Sequence, residues 1–330
     1  MITGFDRLRR PAAPRAIGVC ALSIVLGANL FGASLVGTSL IGTSLAAAAE
    51  HASRWDGDAR SAVRLIAGST PSDKTAPVRA GIEVRIKAGW HTYWRYPGDA
   101  GVPPRIDFAG SQNLKSVDVL WPAPQRIPEE GLVAIGYVGD MIWPLAIVPQ
   151  NRAKPVTLRL KLDYAVCEKL CVPAEGKAEL TLPGGASSQD AALAGAEARV
   201  PKKLALGDGS PLAVKSVQRI VARHDGVEER PSIAREDGRS STPLGRAMDH
   251  TGVIVDVAVP AGARVALFAE GPTPDWALPV PMAIDGAPPG MQRFAFDLDG
   301  APPGAKYDGA AITLTAVAGD LAIEVTTHLD

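Results

Sequence analysis

PVTLRLKLDYAVCEKLCVPAEG, residues 155–176, decides the fold class. Val156, Leu158, Leu160 and Leu162 alternate with Arg159, Lys161 and Asp163, so every second side chain is apolar. That period of two belongs to a half-buried β-strand. VRAGIEVRIKAGW (78–90) repeats it, with Ile82, Val84 and Ile86 on one face and Glu83, Arg85 and Lys87 on the other. GVIVDVAVPAG (252–262), RFAFDLDG (293–300) and AITLTAVAGDLAIEV (311–325) are alike in kind, bounded by Gly, Pro and Asp turns. The 34 glycines and 28 prolines punctuate short strands rather than signal disorder. Strands at such spacing predict antiparallel β-sandwiches, not a parallel α/β sheet. One helix is predicted, within SSQDAALAGAEARVPKKL (187–204), capped by Ser188 or Asp190 and ended by Pro201.

The N-terminal residues are of another kind. Arg7, Arg9, Arg10 and Arg15 precede a long apolar run, and SLAAAAEHAS supplies small residues near Ala47 to Ala49. This order is that of an exported chain's signal peptide, here 1–49, with an uncleaved membrane anchor as the alternative. GASLVGTSLIGTSLA (32–46) dilutes the run with Gly, Ser and Thr, which weakens the anchor. Cys20 reads as an ordinary residue of the apolar run. The first 49 residues hold four Arg and one Asp, so against −1 for the whole chain the remainder carries −4. That balance offers nothing to nucleic acid. The expected domains are a first β-sandwich over 50–185, a helical linker over 186–205 and a second sandwich over 206–330. ARHDGVEERPSIAREDGRSSTPLG (222–245) is charged and nearly free of large apolar residues, and reads as a mobile loop of the second domain.

Chemistry concentrates in Cys167 and Cys171, the two cysteines outside the N-terminal segment. A metal site wants more ligands than one pair, and the five histidines show no ligand spacing. A structural disulfide is compatible with export, yet closing so short a loop stabilises by only about 2 kcal/mol. Glu168 and Lys169 lie between the sulfurs and make the connection polar. Lys169 favours a thiolate and Glu168 opposes it. Thiol–disulfide exchange is the preferred reading, with an inert bridge and copper(I) binding by two thiolates left open. Trp90, Tyr93, Trp94 and Tyr96 read as core and corner packing more than as a docking surface, and His91 as a hydrogen-bonded structural histidine more than as a proton shuttle.

WHTYWRYPGDAGVPPRIDF (90–108), LWPAPQRI (120–127), GLVAIGYVGDMIWPL (131–145) and YAVCEKLCVPAEG (164–176), in that order, resemble the N-terminal domain family of the thiol:disulfide interchange protein DsbD, in particular its stand-alone and suppressor-of-copper-sensitivity members. The likeness covers residues 52–184; the second half fits more loosely, through VALFAEGPTPDWALPVPM (265–282). It implies an immunoglobulin-like β-sandwich followed by a second sandwich-like domain, all-β but for the connecting helix. It also implies a redox-active Cys167–Cys171 pair without organic cofactor or metal, as one component of a protein-disulfide reductase. The implied partners are a membrane thiol–disulfide transporter and periplasmic thioredoxin-like proteins, serving disulfide reduction, cytochrome c maturation or copper tolerance. The region Glu129 to Ala134 falls where the family places a flap over the disulfide. Family flaps carry aromatic residues, but here stand Gly131, Leu132 and Val133. Shielding is therefore expected from Leu132, Ile135 or Tyr137, with Tyr164, Glu168 and Lys169 as neighbours of the sulfurs. Nothing in these 330 residues resembles the family's transmembrane carrier or thioredoxin-like domain, and no C-x-x-C occurs, so the electron donor is expected to be encoded elsewhere.

Overall fold

In this computed structural model the described residues are 51–129, 131–220 and 251–330. The export segment expected at 1–49, with Cys20, and the charged loop expected at 222–245 lie outside them. Among the described residues no helix is long and apolar enough to cross a membrane.

The chain forms β1 (Asp56–Gly57), β2 (Ser61–Ala67), β3 (Val78–Ile86), β4 (His91–Gly98), β5 (Arg105–Asp107) and β6 (Leu114–Val119). There follow β7 (Gln125–Glu129), β8 (Leu132–Val138), β9 (Met141–Pro149), β10 (Thr157–Cys167) and β11 (Cys171–Thr181). After helix α1 (Asp190–Glu197) come β12 (Lys202–Lys203), β13 (Ala213–Ile220), β14 (Gly252–Ala258) and β15 (Ala266–Glu270). The last four strands are β16 (Met282–Ile284), β17 (Met291–Asp297), β18 (Ala311–Ala318) and β19 (Leu321–His328). Among the described residues four sheets result: β1-β2-β3-β9-β6; β11-β10-β4-β8-β7 with β5 beside β10; β12-β19-β18-β15; and β13-β14-β17-β16. All pairings are antiparallel except β12 with β19. Among the described residues the protein is all-β with one short helix, as the alternation requires.

The first two sheets face each other across one core. Val63, Leu65, Ile82, Val84, Trp143 and Leu145 come from one sheet, and Trp94, Ile135, Tyr137, Leu158, Leu162 and Tyr164 from the other. Each fully buried aliphatic side chain contributes about 1.5–3 kcal/mol, so this face of each strand is set by burial. The third and fourth sheets enclose a second core around Val253, Val255, Trp276, Phe294, Leu314 and Val325. The halves are packed together, because Phe268 and Val280 join the first core and Phe268 meets Trp94 edge-on at 5.9 Å. Arg95 on β4 binds Glu270 through two nitrogens at 2.8 and 2.7 Å and reaches Glu324 at 2.7 Å. Burial opposes the charge of Arg95, yet the two carboxylates hold its pKa above the ordinary arginine value.

The helix departs from its sequence expectation at both ends. Its N-cap is Gln189, without a side-chain cap bond, rather than Ser188 or Asp190. Asp190 is drawn away by tertiary partners: it accepts from the Ser69 amide at 2.9 Å and from the Ser69 hydroxyl, and pairs with Arg79. The helix stops at Glu197, ahead of Pro201. Leu193 and Ala196 are its buried residues, and the helix packs against β3 and β9, inner strands of the first sheet.

Candidate functional site

Cys167 ends β10 and Cys171 begins β11, and the two are register partners across a three-residue connection. They form a disulfide with Cα atoms 4.2 Å apart. Pairing thus brings the sulfurs together at the mouth of a hairpin. The two sulfurs are placed unequally: Cys167 is 2 % exposed, whereas Cys171 and all three connecting residues are exposed, Leu170 to 76 %.

Pleating assigns the neighbours. On β10, Leu162, Tyr164 and Val166 point into the sandwich core, while Ala165 and Cys167 point to the other face. On β4, Trp94 lies in the core and Tyr93 on the cysteine face. On β8, Ile135 and Tyr137 lie inward and Ala134 outward. Register places His91 beside Cys167 and Gly136 beside Tyr93. A row of side chains therefore crosses the outer face of the second sheet: Ile127, Ala134, Tyr93, Ala165 and Cys167.

The Tyr93 hydroxyl lies 2.7 Å from Sγ of Cys167 and 3.0 Å from Sγ of Cys171. Bonded sulfurs carry no proton, so the tyrosine is the donor. The same hydroxyl is 3.3 Å from Oε1 of Glu129, which sits 2.5 Å from Nε2 of His91. Burial first, and the Glu129 carboxylate second, push the Tyr93 phenol well above its ordinary pKa, so it remains a donor across the neutral range. Tyr93 is wholly buried, and its ring meets His91 edge-on at 5.5 Å. Gly101 closes over the ring with φ +120°, and a Cβ there would sit 2.3 Å from Cε1 of Tyr93. Only glycine accepts that backbone and that approach.

The residues expected around the disulfide are distributed differently. Glu168 and Lys169 are exposed in the connection between the cysteines, and Leu132 is 50 % exposed beside the β7–β8 turn. Ile135 is in the core. Tyr137 is also inside, where its hydroxyl donates to the Pro122 carbonyl at 2.9 Å and its ring meets Trp143 at 6.3 Å. Tyr164 donates to Oγ of Ser61 at 2.8 Å, across the sandwich. Both tyrosines are near the cysteines in strand or sequence but on the opposite side of the pleat. From the flap region it is the carboxylate of Glu129 that reaches the Tyr93 hydroxyl. Tyr93, His91 and Glu129 are thus the polar groups gathered at the sulfurs. Alternation in WHTYWRY, with Trp90, Thr92 and Trp94 against His91, Tyr93 and Arg95, carried the signal for two of them.

Such a site has the parts for sulfur exchange: a sulfur open to attack, a buried leaving sulfur and a hydroxyl able to stabilise the leaving thiolate. Residues 63–183 match the family model described as "Thiol:disulfide interchange protein DsbD, N-terminal". No curated protein matches the chain. Among solved structures, the N-terminal periplasmic domain of ScsB from Proteus mirabilis is similar at 18 % identity and TM-score 0.60, covering 85 % of this chain and 99 % of that one. At that identity the likeness speaks for the fold, and it extends through both halves. Residues 63–183 of this chain are therefore similar to the N-terminal domain family of DsbD.

Proposed function

We propose that the Cys167–Cys171 pair exchanges with the dithiols and disulfides of protein partners in the periplasm. In this reading it relays electrons from a membrane thiol reductase to thioredoxin-like proteins. The observation that carries it is the asymmetry of the disulfide, one sulfur exposed and the other buried under a tyrosine hydroxyl. A donor thiolate attacks Sγ of Cys171, the Cys167–Cys171 bond breaks, and Cys167 leaves as a thiolate accepting from Tyr93. The donor's second thiolate then attacks the mixed disulfide, leaving the donor oxidised and Cys167–Cys171 as a dithiol. Two electrons move and two protons are taken up. With an oxidised acceptor the sequence runs backwards, Cys171 attacking and Cys167 resolving.

Burial supports this order, because Cys167, at 2 % exposure, is far less accessible to a partner than Cys171. Exposed Leu170 and Leu132 give apolar area near the hairpin mouth and the β7–β8 turn for a partner to cover. The test is trapping. With Cys167→Ser, Cys171 should accumulate a mixed disulfide with an oxidised thioredoxin-like protein. With Cys171→Ser, the remaining buried thiol should trap at least about tenfold less. Equal trapping by both variants, or trapping by neither, overturns this order of attack.

A further inference from the structure

We infer that in its dithiol state this site is a zinc site, with Cys167, Cys171, His91 and Glu129 as the four ligands. The inference rests on the proposed opening of the disulfide, but needs no partner protein.

Nε2 of His91, a carboxylate oxygen of Glu129 and Sγ of Cys167 lie within 4.8 Å of one another. In a tetrahedral zinc site with bonds of about 2.0–2.3 Å, neighbouring ligand atoms stand about 3.3–3.8 Å apart. For these three ligands shifts of about 1 Å therefore suffice, and Cys171, released from Cys167 when the disulfide opens, supplies the fourth. His91 is 5 % exposed and the Glu129 side chain 19 %, so the cluster is sheltered from water, and the exposed Cys171 edge is the way in. No spacing along the chain announces it, because His91, Glu129 and Cys167 meet only through the pairing of β4 with β8 and β10 and of β7 with β8.

Redox state decides occupancy. In the disulfide both sulfurs are spent on each other, and only an imidazole and a carboxylate remain. Reduction adds two electrons and two protons and gives two thiols. Zinc then displaces those two protons and takes two thiolates, one imidazole and one carboxylate, each a ligand type found in protein zinc sites. Two thiolates disfavour magnesium or calcium. Copper(I) is content with the thiolates alone, so dependence on His91 and Glu129 separates the two metals. Tyr93, within hydrogen-bond distance of both sulfurs, then donates to a bound thiolate and fixes its orientation. With both thiolates bound, neither can attack a partner's disulfide, so zinc holds the relay in its reduced, resting form.

The test uses the chain reduced with a phosphine and freed of it. Zinc is titrated against a chromophoric chelator, and cobalt(II) serves as a spectroscopic stand-in. The reduced protein should take one zinc per chain and the oxidised protein none. Cobalt should give the intense d–d bands of tetrahedral coordination together with thiolate charge transfer. His91→Gln and Glu129→Gln should each weaken zinc by about tenfold or more, while copper(I) binding stays within about twofold. Re-formation of the disulfide after oxidation checks that each variant is folded. Zinc binding that ignores redox state, or that survives both substitutions unchanged, overturns the site. Either result leaves the exchange reading standing, since exchange is assayed without metal.

Discussion

Replacing Tyr93 by Phe removes the hydroxyl that stands 2.7 and 3.0 Å from the two sulfurs and leaves the buried ring in place beneath Gly101. In the reduced protein that hydroxyl bonds a thiolate more strongly than a thiol. A hydrogen bond to a charged group is worth about 1.5–3 kcal/mol, and one between neutral groups about 0.5–1.5 kcal/mol. The difference, about 1–1.5 kcal/mol, equals about one pH unit. The Glu129 carboxylate, no longer partnered by the phenol, acts in the same direction by repelling a thiolate. The first ionisation of the dithiol should therefore rise by about one unit in Tyr93→Phe. Thiolate absorbance near the far ultraviolet, followed against pH in the reduced protein, reads that ionisation as a property of the pair. Attack on a model disulfide at neutral pH should slow accordingly. Glu129→Gln should move the ionisation the opposite way. A Tyr93→Phe ionisation that is unchanged or lower would refute the assignment of the hydroxyl as the group that stabilises the thiolate.

Three further substitutions test the scaffold. Gly101→Ala places a methyl against the Tyr93 ring at a backbone φ of +120°, so it should both destabilise the fold by about 1–3 kcal/mol and raise the thiol ionisation as Tyr93→Phe does; chemical denaturation and the same absorbance titration check both, and a loss of stability without a shift would separate the turn from the site. Arg95→Leu leaves Glu270 and Glu324 facing each other in a partly buried gap, and should cost about 3–5 kcal/mol in denaturant unfolding; less than about 1 kcal/mol would mean the halves are held by apolar packing alone. Asp256, 5 % exposed, is held below its ordinary pKa by its hydrogen bonds to Arg293 at 2.7 and 2.8 Å. A depressed carboxylate stabilises the fold above its unfolded pKa of about 3.9 and loses that contribution as pH falls through the folded value. Asp256→Asn should thus lower stability by about 2 kcal/mol at pH 7, and by progressively less below about pH 4; a gap constant from pH 7 to pH 3 would contradict the linkage.

The strands were legible because burial acts on every second residue. Ile82, Val84 and Ile86 on β3, and Leu158, Leu160 and Leu162 on β10, announce their faces without any knowledge of partners. The cysteine pair was legible too, as the sole pair outside the N-terminal segment. What surrounds it was less so. Tyr164 and Tyr137 look close to the cysteines along the chain or the flap, yet the pleat turns both into the core. His91 and Tyr93 were open to the same parity argument that places Trp94 inside. Glu129 was not, because its position depends on the β7–β8 register and on the irregular step between Tyr93 and Gly98 in the β4–β8 pairing. Arg95 meets Glu270 across 175 positions of sequence, and Asp190 leaves the helix cap for Ser69 across 121. Long-range ion pairs of this kind leave no local periodicity to read.

The relay requires that this disulfide be poised for exchange. The equilibrium reduction potential of Cys167–Cys171, set against glutathione or a dithiol buffer and followed by thiol trapping, tests that. Exchange proteins lie between about −180 and −270 mV, and a value in that range is what an asymmetric, partly exposed pair under Tyr93 should show. A potential well below about −300 mV would mark an inert structural bridge and contradict the relay.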